Sequence, residues 1–106
     1  MRNKADETEL SPVIKTIVDS IANFLNPDAI YLYNQRINSN SHVTSFKLCI
    51  VADVKDKLAA ESDIYMKFDC DVPYDILIYT VDEWEDLTEH DTSFAYKIMQ
   101  TGTSVI

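Results

Sequence analysis

An α/β or α+β fold, a sheet with helices packed on it, is what the sequence predicts, and three observations predict it. An amphipathic stripe at helical spacing follows residue 11, three runs of β-forming residues come after it with a helical segment between the second and third, and capping signals separate strand from helix. The resulting order is α, β, β, α, β, α, α and a short closing β, giving a mixed sheet of three to five strands.

Each element has its own reason. In "SPVIKTIVDSIANFLNP", Ser11 suits an N-cap and Pro12 a first helical position. Val13, Ile14, Ile17, Val18, Ile21, Phe24 and Leu25 share one stripe, so a helix should end before the Asn26-Pro27-Asp28 turn. "AIYLYN" and "FKLCIVAD" read as buried strands joined by the polar connection "QRINSNSHVTS". Asp53 is placed to cap a helix through "VKDKLAAESDIYMKF", with Val54, Leu58, Ile64 and one of Met66 and Phe68 inward. "DVPYDILIYT" is a third strand in which Pro73 requires a start or an edge. Thr80 and Glu83 spell a capping box for a short helix over "VDEWEDL". "TSFAYKIMQTG" puts Phe94, Ala95, Ile98 and Met99 on one helical face, with Gly102, the only glycine, as its C-cap, and "TSVI" could add a strand.

A length of 106 residues suits one domain, expected over 11–106 behind a flexible arm over 1–10, and the polar start has no apolar leader, so a cytoplasmic chain is expected. The net charge of -9 opposes nucleic acid and anionic membrane surfaces as partners, since both demand clustered cations, and any phosphate ligand is expected to bring its own metal. Cys49 in an apolar run and Cys70 in an acidic turn form neither a disulfide framework nor a zinc quartet. Asp69, Asp71 and Asp75 in "DCDVPYD" lack the glycine and spacing of a calcium loop, and read as a solvated turn. His42 and His90 have no ligand or nucleophile at a useful spacing, and Ser39, Ser41 and Ser45 no nucleophile elbow. Tyr79, Trp84, Phe94 and Tyr96 are expected to pack where helices meet the sheet.

Taken in order, the segments from about residue 12 to 106 resemble the minimal nucleotidyltransferase domains of the polymerase-beta-like superfamily, most closely in "YDILIYTVDEWEDL" and "SFAYKIMQTGTSVI". The resemblance sets Asn34, Gln35 and Arg36 of "YLYNQR" at that family's Gly-Ser-Arg phosphate turn. It sets Phe46 and Leu48 of "SFKLCIV" at its Asp-x-Asp metal pair, and Asp75 at its third carboxylate. A phosphate-gripping turn needs glycine for close backbone approach, and one carboxylate does not hold two Mg²⁺ ions. The resemblance therefore implies a domain that has lost its catalytic residues and its metal, with no cofactor, and that serves as a binding or regulatory, antitoxin-like module with a protein partner or a second copy. Two alternatives stand beside it. One is a Mg-dependent nucleotidyltransferase in which Asp75 works with Asp69, Asp71 or Asp53 and Arg36 contacts phosphate. The other is a small-molecule sensor with an apolar cleft lined by Phe46 and Leu48.

Overall fold

Pro12 fixes the first turn of helix α1 (Pro12–Leu25), and Asn26, in the left-handed conformation, ends it with its amide bonded to the Ala22 carbonyl. Ser11 occupies the N-cap position as expected, but its side chain makes no capping bond. The computed structural model describes residues 10–106; the expected flexible arm lies outside the described residues up to residue 9, while Leu10, its last member, is half-buried against the core. The remaining elements are β1 (Ala29–Ile37), β2 (Val43–Val51), α2 (Lys57–Lys67), β3 (Tyr74–Tyr79), α3 (Val81–Leu87), α4 (Phe94–Thr101) and β4 (Thr103–Ser104). This is the predicted order, and the fold is α+β: a mixed four-stranded sheet, β3-β2-β1-β4, with helices packed on it.

β1 pairs antiparallel with both β2 and β4, and β2 pairs parallel with β3 through the α2 crossover. Alternation along the strands assigns the faces. Ile30 and Leu32, Phe46, Leu48 and Ile50, and Ile76 and Ile78 point one way, beneath Ile14, Ile17, Val18 and Ile21 of α1 and Ala60 and Ile64 of α2. The other face carries Tyr31, Tyr33 and Tyr79. Trp84 of α3 stacks on Tyr31 at 5.2 Å and tilts against Tyr79 at 5.6 Å, and Phe94 of α4 meets Tyr33 edge-on at 5.6 Å.

Several local expectations are corrected. Helix α2 begins at Lys57, with Asp56 rather than Asp53 as its cap, accepting from the Ala59 amide; the Asp53 carboxylate instead accepts from the Val81 amide and joins the end of β2 to the start of α3. Of Met66 and Phe68 it is Phe68 that packs against the core, while Leu58 and Met66 are 74% and 82% exposed. Each stands two residues from a buried neighbour, Ala60 or Ile64, and about 200° of helical rotation turns it outward. Gly102 does end α4, but in extended backbone (φ -75°, ψ 167°), not the left-handed region. Its lack of a side chain matters for space, because an added Cβ would lie 2.6 Å from the Ile98 carbonyl oxygen and 3.4 Å from that of Leu32.

The polar connection between the first two strands is mostly strand. Gln35, Arg36 and Ile37 extend β1, and Val43, Thr44 and Ser45 open β2, leaving only 38–42 as loop. The Asn38 side chain accepts from the amides of Asn40 and His42, and Ser41 takes a positive φ of 64°. A side chain thereby performs the turning that a glycine performs elsewhere. The capping box is present as read: Thr80 accepts from the Glu83 amide at 3.2 Å, and the Glu83 carboxylate accepts from the Thr80 amide at 2.9 Å.

Candidate functional site at the β1 bulge

The ladder between β1 and β2 slips at Tyr33, where Leu32 pairs with Leu48 but Asn34 pairs with Lys47. One extra residue on β1 is the signature of a β-bulge, a device that re-aims side chains. Tyr33 and Asn34 here line a pocket of ≈ 280 Å³ with Lys47 of β2 and with Phe94, Lys97 and Thr101 of α4.

Asn34, Gln35 and Arg36 form no turn. They run as strand opposite Lys47, Phe46 and Ser45, so alternation sends Asn34 and Arg36 to the α3/α4 face and Gln35 to the α1 side, where it lines a depression with Ser11 and Pro12. Backbone amides spent along a ladder do not converge on one anion.

Phe46 and Leu48 are 1% and 0% exposed, packed under α1, so no cleft is lined by them and the sensor alternative loses its proposed wall. Asp75 is exposed and pairs in parallel register with Lys47, on the opposite face of the sheet from Phe46 and Leu48. The three positions that the resemblance assigns to metal carboxylates therefore belong to no single site. Asp69 and Asp71 line a depression beside Pro12 and Thr16 of α1. Asp53 lies at the end of β2, bonded to Val81. No three His, Cys, Asp or Glu side chains among the described residues are grouped so as to hold a metal ion.

Electrostatics follow the same division. Burial pushes the Cys49 thiol up to about 12, which keeps it protonated and unreactive at neutral pH, and Cys70 is a half-buried free thiol. Burial also raises the Tyr33 phenol, and Cys49 and Asp75 across the same face add to the effect. Glu83 is held below its ordinary value, first by the Thr80 amide and then by Lys57, whose Nζ lies 2.9 Å from its carboxylate and ties α2 to α3. His90, in the exposed segment after α3, stands 3.8 Å from Asp86, and His42 is exposed in the hairpin loop.

Sequence reasoning missed Lys47 and Lys97. The signal that could have found Lys47 is its place between two apolar residues of β2, which by alternation must turn away from the core that they fill. Comparison of the chain with protein-family models, curated proteins and solved structures yields no match.

Proposed function

We propose that this chain is a nucleotidyltransferase-like domain that no longer transfers nucleotides and acts through protein contacts, as a regulatory, antitoxin-like module toward a protein partner or a second copy. The observation that carries the reading is the division of Phe46 and Leu48 from Asp75 by the thickness of the sheet. Two-metal phosphoryl chemistry needs carboxylates that converge within a few ångströms, and removing even one strong electrostatic element of a site costs about 10²- to 10³-fold in rate. The strand conformation of residues 34–36 supports the same reading, since it withdraws the backbone amides that would grip phosphate. Leu58 and Met66, exposed on α2 without contributing to the core, supply apolar surface for a contact role.

Calorimetry with ATP and Mg²⁺ tests the loss of nucleotide chemistry: no saturable heat is expected, and micromolar binding abolished by Asp75→Asn would overturn it. Light scattering on the isolated chain tests self-association, where a dimer that Leu58→Glu converts to monomer identifies the second copy as the partner.

A further inference from the structure

The pocket at the β1 bulge differs in charge from the chain as a whole. Lys15 pairs with Asp19, Lys57 pairs with Glu83, and Lys67 lies over the Phe24 ring. Arg36, Lys47, Lys55 and Lys97 have no such partner among the described residues, and two of the four, Lys47 and Lys97, line this one pocket. In a chain of net charge -9, two unpaired ammonium groups brought to one concavity run against the general surface. Beside them stand the Asn34 amide, which can donate, and the Phe94 ring, 50% exposed and held edge-on by Tyr33. Larger depressions of ≈ 390 and ≈ 720 Å³ border the start of α1, but neither has a lysine or arginine in its lining, and both include Asp71.

We propose that the pocket formed by Tyr33, Asn34, Lys47, Phe94 and Lys97 binds a small phosphate monoester with a flat apolar body, directly and without a metal ion. Two ammonium groups match the charge of a phosphate monoester, about -1.5 to -2 at neutral pH, where a carboxylate would leave one of them uncompensated. The exposed Phe94 ring offers a face for the flat body, and a volume of ≈ 280 Å³ admits a single ring with its phosphate. The expectation that phosphate must arrive with a metal rests on the net charge of the whole molecule; the local pair of lysines removes that need. Asp75 pairs with Lys47 in the β2–β3 register, so its carboxylate opposes the dianion.

The site goes beyond the proposed loss of nucleotide chemistry, and Asp75 separates the two. Calorimetry or NMR titration of the full chain with phenyl phosphate in excess EDTA is expected to show saturable binding that weakens about tenfold in Lys47→Gln and again in Lys97→Gln. It should weaken in Phe94→Ala and at raised salt, and tighten in Asp75→Asn. Both lysines are exposed, so these variants are expected to keep the parent's unfolding temperature, and a circular dichroism melt checks it. Absence of saturation by phenyl phosphate at millimolar concentration overturns the proposal, as does binding that both lysine variants retain. Benzoate binding as tightly as phenyl phosphate overturns the dianion assignment, and inorganic phosphate binding as tightly overturns the role of Phe94. Mg-dependent ATP binding lost in Asp75→Asn would instead overturn the non-enzymatic reading, and would leave the metal-free titration to decide this site.

Discussion

The two faces of the sheet are built from different side chains and carry different burdens. Beneath α1 and α2 the buried layer is mainly aliphatic, with Ile and Leu from three strands meeting Ile and Val of α1, and its rings stand toward the border, where Phe46 stacks on Tyr74 at 5.5 Å and Phe24 meets Phe68 at 5.8 Å. Beneath α3 and α4 the rings Tyr31, Tyr33 and Tyr79 lie against Trp84 and Phe94 beside the buried Ala95 and Ile98 of α4, and charged side chains stand at the margin. An aliphatic face maximises buried area and close packing, which makes it intolerant of truncation. An aromatic face with ammonium groups at its edge leaves rings and donors partly open to solvent, which suits recognition. Phe46, Lys47 and Leu48 are consecutive in the chain and alternate between these two roles.

The sharpest way to break the comparison is to truncate one side of it. Leu48→Ala is expected to lower stability by about 3–5 kcal/mol, whereas Lys47→Ala should change it by less than about 0.5 kcal/mol; chemical denaturation of the two variants reads both numbers. Equal losses would mean that the faces do not divide the labour as described. Gly102→Ala comes next, at about 1–3 kcal/mol, because the methyl must displace the Ile98 carbonyl, which is backbone and cannot rotate away. Its position between α4 and β4 makes it a probe of how firmly the aromatic face is closed.

Smaller effects sharpen the picture at the margins. Thr80→Ala removes a capping bond and should cost about 1 kcal/mol in a thermal or urea melt. The partner carboxylate, Glu83, has a folded-state pKa lowered from an ordinary 4.5, so its contribution is present above that value and is lost as pH falls through the lower folded one. Stability measured from pH 5 downward should therefore decline less steeply in Glu83→Gln than in the parent. At the far edge of the sheet the Tyr65 hydroxyl accepts from the outward-pointing Ile76 amide at 2.9 Å and blunts the open side of β3. Tyr65→Phe should cost about 1 kcal/mol and increase concentration-dependent association, visible in light scattering.

How much of this was legible in the sequence follows from what periodicity can carry. The α1 stripe, the three strands, the Thr80–Glu83 box and the place of Gly102 are local patterns, and each element appears where its pattern lies. Helix α2 was harder, since its apolar residues are spread around the axis: Leu58 and Met66 compete with Ala60 and Ile64 for the inward face, and the shorter Ala60 fits against the sheet. The hairpin is harder to bound because Asn38 and Ser41 shape its tip without a glycine, and the polar residues on both sides read as loop. Of the site, Asn34 and Asp75 were marked through a resemblance whose alignment does not bring them together with Phe46 and Leu48. The pocket itself is not legible because Lys47 and Lys97 are distant in the chain and line it beside the bulge at Tyr33, a shift of register that no periodic pattern announces.

Introducing a carboxylate pair tests the central claim most directly. Phe46→Asp/Leu48→Asp supplies the side chains that the resemblance expects for Mg²⁺, at two positions that this fold buries completely beneath α1. Two unpaired carboxylates there exceed what a domain of this size can bear. Thermal unfolding followed by circular dichroism, with and without millimolar Mg²⁺, should show a variant that is unfolded at 25 °C in both conditions. A folded variant whose melting temperature rises with added Mg²⁺ would contradict the account.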